Sequence, residues 1–174
     1  MTTSGMWCTN AVDMALAEVA RRLQEKNIRA RIFSVITSLD QLRHVRLTQH
    51  LSDNSYVAIP ICEDGHYVAF VVRDGWIYYY DSLAAHDTDL GYFGAQWVYA
   101  RRDYIRASMT GGVKFSVMRQ PRQQDAVRCA AYMLSFVTIA PQVEPEVWPY
   151  HTTKQLDHAC RVLDVCTTII NTTV

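Results

Sequence analysis

A cysteine, a histidine and an aspartate in this chain are of the types that perform nucleophilic catalysis by a thiol. Cys129 follows a polar run, RQQDAVR, and opens an apolar run of helical length, so it is predicted to lie at a helix N-terminus. The positive end of the helix dipole favours the thiolate there. Because most free cysteines are buried packing residues, Cys129 is a candidate nucleophile only if a base and an orienting group accompany it.

The base and the carboxylate come from the strongest strand signal in the chain. Two β-rich runs, YVAFVVR and WIYYYD, are separated by Asp74-Gly75, a dipeptide typical of hairpin turns. His66 precedes the first run and Asp81 ends the second. Counting outward from a two-residue turn places both side chains at the same open end of the sheet. The sequence therefore predicts a histidine beside a carboxylate.

A thiol hydrolase also needs hydrogen-bond donors aimed at the oxyanion of its intermediate. Gln123 and Gln124 lie six and five residues before Cys129. The intervening loop could bring one of these amides back beside the thiol, and the backbone N–H at the cysteine would be a second donor. The reaction that these residue types indicate is acyl transfer.

Helices and strands are interleaved along the chain and must bring these groups together. Hydrophobic periodicity and capping residues predict the helices, and short β-branched or aromatic runs predict the strands. The predicted helices span residues 11–26, 38–50, 93–109, 129–139 and 154–169, and the predicted strands span residues 31–36, 56–62, 67–73, 76–81 and 114–119. Residues 141–149 are predicted as a loop, and Arg101 and Arg102 are expected to face solvent. An antiparallel hairpin within this alternation favours an α+β fold, a mixed central β-sheet flanked by helices.

Length, charge and cysteine usage narrow the class of protein. The 174 residues suit a single domain spanning 1–174, and the formal net charge is zero without a long basic run, so nucleic acid is not an expected partner. No stretch approaches the roughly 18 apolar residues of a membrane span. None of the five cysteines lies in a CxxC pair, which argues against a disulfide framework and a zinc site. Reduced thiols fit a cytoplasmic or nuclear protein.

The blocks around these residues carry a resemblance to a known family. GHYVAFVVRDGWIYYYDSL, followed by RQQDAVRCAAYML, resembles the ubiquitin-like-protein-specific cysteine proteases, the family of the SUMO-deconjugating enzymes, whose wider clan includes the adenovirus maturation protease. The N-terminal WCTNAV is similar to the tryptophan-initiated first helix of that family. The resemblance covers Trp7 to about Ile139.

The resemblance implies a role for each matching position. Cys129 would be the nucleophile, His66 the general base and Asp81 the group that orients the base. Gln123 would donate a hydrogen bond to the oxyanion. The family chemistry implies no cofactor.

The same resemblance implies a protein substrate. Trp7 would line a narrow channel that admits the glycine-rich C-terminal tail of a ubiquitin-like modifier. Tyr67, which stands where the family usually has a tryptophan, would roof that channel. The other expected substrate is a cleavage site in a viral-type polyprotein, and a viral or effector member of the family would act in the host cytosol.

Two other interpretations remain open from the sequence. Cys8 also lies at a predicted helix N-terminus, and the order Cys8, His66, Asp81 is that of papain-like proteases. That interpretation lacks an upstream glutamine and leaves residues 82–174 without a role. The chain could instead be a non-catalytic module that binds a ubiquitin-like protein. A thiol pKa of about 8.5 would favour the module, and a depressed one the enzyme.

Overall fold

A five-stranded mixed sheet forms the centre of the molecule. The computed structural model describes residues 7–84, 90–118 and 127–173. The strands are β1 (Ala30–Ile32), β2 (Tyr56–Glu63), β3 (His66–Arg73), β4 (Trp76–Tyr80) and β5 (Lys114–Met118), and they lie side by side in that order. The three central strands are antiparallel to one another, whereas β1 and β5 run parallel to their neighbours.

Helices cover both faces of this sheet. They are α1 (Thr9–Glu25), α2 (Leu39–His44), α3 (Leu47–Asp53), α4 (Ala95–Ala107), α5 (Cys129–Ile139) and α6 (Trp148–Thr172), with a short 3₁₀ helix over Pro145–Val147. The core on one face is built with α1, α5 and α6, and the core on the other with α2, α3 and α4. The predicted α+β class, with a mixed sheet flanked by helices, is confirmed. None of the helices within the described ranges is long and apolar enough to cross a membrane.

Strand β3 is buried on both faces, which explains its unbroken apolar sequence. Successive side chains point to opposite faces of a strand. Tyr67 and Ala69 therefore join the core of α1, α5 and α6, while Val68 and Phe70 join the core of α4. His66 begins the strand and lies among residues of the α4 side, so it reaches the edge of the sheet where the two layers meet.

Both hairpins of the central sheet turn through the same dipeptide. Asp74-Gly75 joins β3 to β4, and Asp64-Gly65 joins β2 to β3. The backbone φ values are 52° and 77° in the first turn and 49° and 76° in the second. Positive φ at both central positions is the requirement of a type I′ turn, which matches the twist of the flanking strands. The turn at residues 74–75 was predicted, whereas the strand pairing across residues 64–65 was not.

Two predicted elements are not continuous in the structure. The helix predicted for residues 38–50 is interrupted, because Val45 adopts an extended backbone and the chain starts a new helix at Leu47. The strand predicted for residues 31–36 pairs continuously only as far as Ile32, with one isolated bridge at Ile36. In both segments the hydrophobic side chains reach the core without a longer helix or strand.

The last helix begins earlier than predicted. It starts at Trp148, so part of the predicted loop 141–149 is helical. The Trp148 ring is fully buried, lies edge-on to Phe136 at 5.4 Å between centroids, and donates its indole N–H to the carbonyl of Val143. This anchor fixes the start of α6, and Pro149 suits the first turn because it needs no amide hydrogen there.

Candidate active site

The ends of β3 and β4 bring His66 and Asp81 into contact. Strand pairing in register from Arg73 opposite Trp76 carries the two side chains to the same end of the sheet. His66 Nε2 lies 2.7 Å from Asp81 Oδ1, and the two residues are 6% and 0% exposed. A hydrogen bond shielded from water in this way is stronger than the same contact on a surface.

Asp81 accepts hydrogen bonds from several directions besides His66. The backbone N–H of Leu83 donates to Oδ1 at 2.9 Å, and the backbone N–H of Tyr92 donates to Oδ2 at 2.9 Å. The Tyr79 hydroxyl lies 3.3 Å from the same Oδ2. A buried carboxylate needs such donors to offset its lost hydration. They also fix the direction from which it contacts the imidazole.

Gly91 packs directly against this carboxylate. A Cβ atom at position 91 would lie 2.3 Å from Asp81 Oδ2, and the backbone φ of +80° is itself in the left-handed region. Both facts require glycine. The sequence analysis missed Gly91, although a glycine shortly after the aspartate was the available signal.

Cys129 completes the cluster from the other side of the sheet. It is the first residue of α5, it is 1% exposed, and its thiol lies close enough to His66 to raise the pKa of the imidazole. Because Nε2 of the imidazole is occupied by Asp81, Nδ1 is the nitrogen available to the sulfur. The first N–H groups of a helix have no partner within it, so the start of α5 offers both a positive potential and free donors beside the thiol.

The surroundings of His66 favour its protonated form. Burial alone would lower the pKa of the imidazole, but hydrogen bonds and charge attraction from Asp81 and Cys129 outweigh it and raise the pKa to about 9. At neutral pH the ring is therefore positively charged next to a thiol. Such a neighbour stabilises a thiolate, as in other cysteine–histidine pairs.

Two aromatic rings cover the imidazole. The Tyr92 ring packs against it at 4.9 Å between centroids and the Phe93 ring at 5.9 Å. Phe93 is buried, whereas Tyr92 remains 53% exposed. The rings exclude water from one side of His66 and leave an aromatic surface at the rim of the site.

Comparison with known proteins gives the family. The sequence model described as the Ulp1 protease family, C-terminal catalytic domain, matches residues 25–146, which is more than half of the chain. The chain belongs to the Ulp1 protease family. It is therefore a cysteine peptidase, as the sequence analysis predicted. A comparison with curated protein sequences finds no match.

Solved structures of Ulp1 proteases share the fold. The Ulp1-like SUMO protease catalytic domain of Chaetomium thermophilum superimposes with a TM-score of 0.64 at 17% identity, covering 91% of this chain and 72% of that one. SUMO protease Ulp1 with its catalytic cysteine oxidised to a sulfenic acid gives 0.58 at 13% identity, with 92% and 79% covered. The C-terminal Ulp1 protease domain in complex with Smt3, the yeast ortholog of SUMO, gives 0.56 at 11% identity, with 93% and 79% covered.

The other predicted site residues fall in different places. Gln123 lies outside the described residues. Cys8 is exposed just before α1, and the thiol that raises the pKa of His66 is that of Cys129. Among the described residues, no group of three or more His, Cys, Asp or Glu side chains is arranged to hold a metal ion.

Trp7 and Tyr67 are tied together at the entrance to α1. The Tyr67 hydroxyl donates to the backbone carbonyl of Trp7 at 3.0 Å, and the Trp7 indole N–H donates to Asp164 Oδ1 at 3.0 Å. Tyr67 is buried, with its ring in the core beneath this segment, whereas Trp7 is partly exposed. In this Ulp1-family chain the tyrosine therefore supports the tryptophan from below.

Proposed function

We propose that the protein is a Ulp1-type protease that cleaves after the C-terminal tail of a ubiquitin-like modifier, with residues 1–174 forming one protease domain. Cys129 is the nucleophile, His66 the general base, Asp81 the orienting carboxylate and Gln123 the side-chain oxyanion donor. The observation that carries the proposal is the buried chain of contacts from Asp81 through His66 to Cys129 at the start of α5.

Acylation follows from the charges of that chain of contacts. The Cys129 thiolate attacks the scissile carbonyl carbon, and the carbonyl π electrons move to the oxygen. The Gln123 amide and the N–H groups at the start of α5 donate to that oxyanion. When the intermediate collapses, the C–N bond breaks and the imidazolium of His66 gives its proton to the leaving amine, forming a thioester and a free amine.

Deacylation uses the same residues in reverse. His66, now neutral, takes a proton from a water molecule as the water oxygen attacks the thioester carbon. The C–S bond then breaks, releasing a carboxylic acid and restoring the thiolate beside the imidazolium. Asp81 stays ionised throughout and holds the ring through Nε2, so that Nδ1 keeps facing the sulfur. The reaction needs no cofactor.

The proposed substrate rests on the rim of the site. Trp7 is partly exposed and held at both its carbonyl and its indole nitrogen, so it can form a rigid wall of a tail-binding channel. Tyr67 keeps that wall in place from the core. A relative of the same fold has been solved in complex with the SUMO ortholog Smt3. A flat aromatic wall favours glycines in the tail, because a larger side chain would collide with the ring. A polyprotein site with a glycine-rich sequence would fit the same channel.

One experiment tests both chemistry and substrate. A panel of ubiquitin-like proteins carrying C-terminal electrophiles is incubated with the wild-type protein, Cys129→Ala and Cys8→Ala, and covalent adducts are scored by mass spectrometry. We expect an adduct with at least one modifier, lost in Cys129→Ala and kept in Cys8→Ala. Loss only in Cys8→Ala would support the papain-like alternative. Binding of a modifier without any adduct would support the non-catalytic module.

A further inference from the structure

A largely buried ion pair outside the cluster of Asp81, His66 and Cys129 joins β2 to α4. Arg101 donates from Nη2 to Glu63 Oε1 at 2.5 Å, and the Trp97 indole N–H donates to Glu63 Oε2 at 2.7 Å. The Arg101 guanidinium also lies 3.7 Å from the centre of the Trp97 ring. Arg101 is 6% exposed, so the expectation that it faces solvent is wrong. A charged arginine is rarely buried to this degree without a specific partner.

This ion pair touches the catalytic histidine by two routes. Along the backbone, Glu63 is the residue paired with His66 across the Asp64-Gly65 turn. Through the side chains, the Trp97 ring stacks on Phe93 at 3.9 Å and 9°, and Phe93 in turn packs against the His66 ring. Both routes end on His66.

Stability alone is a weak explanation for such a pair. A buried ion pair contributes little net stability compared with apolar side chains of similar size, because both charges lose their hydration. Here the cost is larger still, since Arg101 Nε is buried without a hydrogen-bond partner among the described residues. These contacts do fix an orientation. Arg101 and the Trp97 indole N–H each hold one oxygen of the Glu63 carboxylate.

We propose that Glu63 and Arg101 are positioning residues for the proposed base, holding the β2–β3 turn and the Phe93–Trp97 stack so that His66 stays between Asp81 and Cys129. The inference rests on the proposed role of His66. Among the described residues, the titratable groups that contact its ring are Asp81 just after β4, Cys129 at the start of α5 and Tyr92 before α4. Without the ion pair, the start of β3 can shift away from both partners while the rest of the strand remains paired.

The test uses a double variant that removes both charges together. Glu63→Leu/Arg101→Met replaces the pair with apolar side chains of similar size, which avoids leaving one charge buried alone. The matched control is Arg73→Met, which removes an arginine bonded to Glu144 at the opposite end of β3. For each protein, NMR gives the titration midpoint of His66 in the resting state, and hydrolysis of a modifier with a fluorogenic C-terminal group gives kcat and KM separately.

We expect the His66 midpoint to fall by about one pH unit in the double variant, because its two stabilising partners are held less closely. We expect kcat to fall roughly tenfold, as small misplacements of catalytic groups do, with KM nearly unchanged. The control should keep the wild-type midpoint and kcat. A folded double variant with an unchanged midpoint and kcat would overturn the proposal, as would an equal change in the control.

The two proposals fail in different ways. The His66 titration is measured without substrate, so it reports the positioning even if no modifier is cleaved. Full activity in Cys129→Ala or His66→Ala would refute the proposed function while leaving the positioning result to stand on its own.

Discussion

The two ends of β3 are built from similar parts and differ in what surrounds them. Each end turns through Asp-Gly with a left-handed backbone, and each has an arginine–glutamate pair beside the turn. At the His66 end the glutamate side chain is 18% exposed, whereas Glu144 at the Arg73 end is 75% exposed. The same residue types beside the same kind of turn thus form a largely buried ion pair at the His66 end and a surface ion pair at the Arg73 end.

Helix α5 runs from the His66 end of β3 to the Arg73 end, and its two termini differ in the same way. Its first residue is Cys129, where the helix dipole is positive and favours a thiolate. At its other end the carbonyls of Ala140 and Val143 accept hydrogen bonds from Arg73 at 2.8 and 2.6 Å. A cation is the stabilising partner for a helix C-terminus, as an anion is for the N-terminus. The comparison shows that burial by neighbouring elements, more than the local sequence, distinguishes the His66 end from the Arg73 end.

The strongest test of this contrast is removal of the base. His66→Ala is expected to lower kcat/KM by roughly 10³–10⁴-fold, because the leaving amine loses its proton donor and the thiolate its counter-charge. Asp81→Asn should cost as much or somewhat less, since the carboxylate acts through the ring. Hydrolysis of a modifier with a fluorogenic C-terminal group measures both. Activity within tenfold of wild type in His66→Ala would show that the chemistry lies elsewhere.

A pair of glycine variants compares the two ends directly. Gly91→Ala places a methyl group 2.3 Å from Asp81 Oδ2, so the carboxylate must move, and we expect kcat/KM to fall by about 10²-fold. Gly75→Ala meets nothing within 4 Å at a similar φ of +77°. It should cost only backbone strain, on the order of 1 kcal/mol of unfolding free energy, with kcat/KM unchanged. Equal kinetic effects in the two variants would remove the distinction between the ends.

Local patterns predicted the parts of this site that depend on short spacing. The Asp74-Gly75 dipeptide gave the hairpin register, and with it the meeting of His66 and Asp81. The abrupt change from polar to apolar residues predicted the start of α5 at Cys129, and the length of the apolar run predicted its end at Ile139. Each of these follows from a turn preference or a hydrophobic period that a few neighbouring residues determine.

Contacts between distant segments could not be predicted in the same way. Glu63 and Arg101 are 38 residues apart. The helical spacing of Val98, Arg101 and Ile105 puts Arg101 on the buried face of α4, but no local pattern identifies Glu63 as its partner. The requirement for Gly91 appears only once the loop has folded onto Asp81. The break between α2 and α3 lets Leu42 and Leu47 both pack in the core on the α4 side of the sheet. In each case tertiary packing decides the local structure, and patterns of neighbouring residues in one sequence do not predict that packing.

The pH dependence of stability provides a third test. His66 has a pKa of about 9 in the folded protein, above the ordinary value of about 6.5. A raised pKa stabilises the fold fully below the ordinary value, and this stabilisation is lost as pH rises through the folded value. Urea unfolding should therefore show wild type losing about 3 kcal/mol relative to His66→Gln between pH 6 and pH 9.5. A constant difference between the two proteins would contradict the charged state of His66.

The smallest expected effects on activity are at the Arg73 end, where the comparison predicts a role in stability and none in catalysis. Arg73→Met removes the hydrogen bonds to the carbonyls of Ala140 and Val143, and we expect a loss of about 1–2 kcal/mol in unfolding free energy. Glu144→Gln removes only the exposed partner of the ion pair, which should change stability by less than about 0.5 kcal/mol. Both variants should keep kcat/KM within about twofold of wild type, because neither residue touches the cluster of Asp81, His66 and Cys129.

The two Arg73-end variants together separate two ways in which α5 could couple the ends. If Arg73 serves only to satisfy the carbonyls after α5, its loss lowers the denaturation midpoint and leaves turnover alone. If α5 instead transmits strain along its axis, Arg73→Met would also shift the start of the helix, and kcat would fall while Glu144→Gln stayed silent. Urea titrations and steady-state kinetics on the same preparations distinguish these outcomes. We expect the first, because Tyr56 donates to the carbonyl of Val137 at 2.9 Å and Tyr80 stacks on Phe136 at 4.5 Å, fixing the helix to the sheet between its two ends.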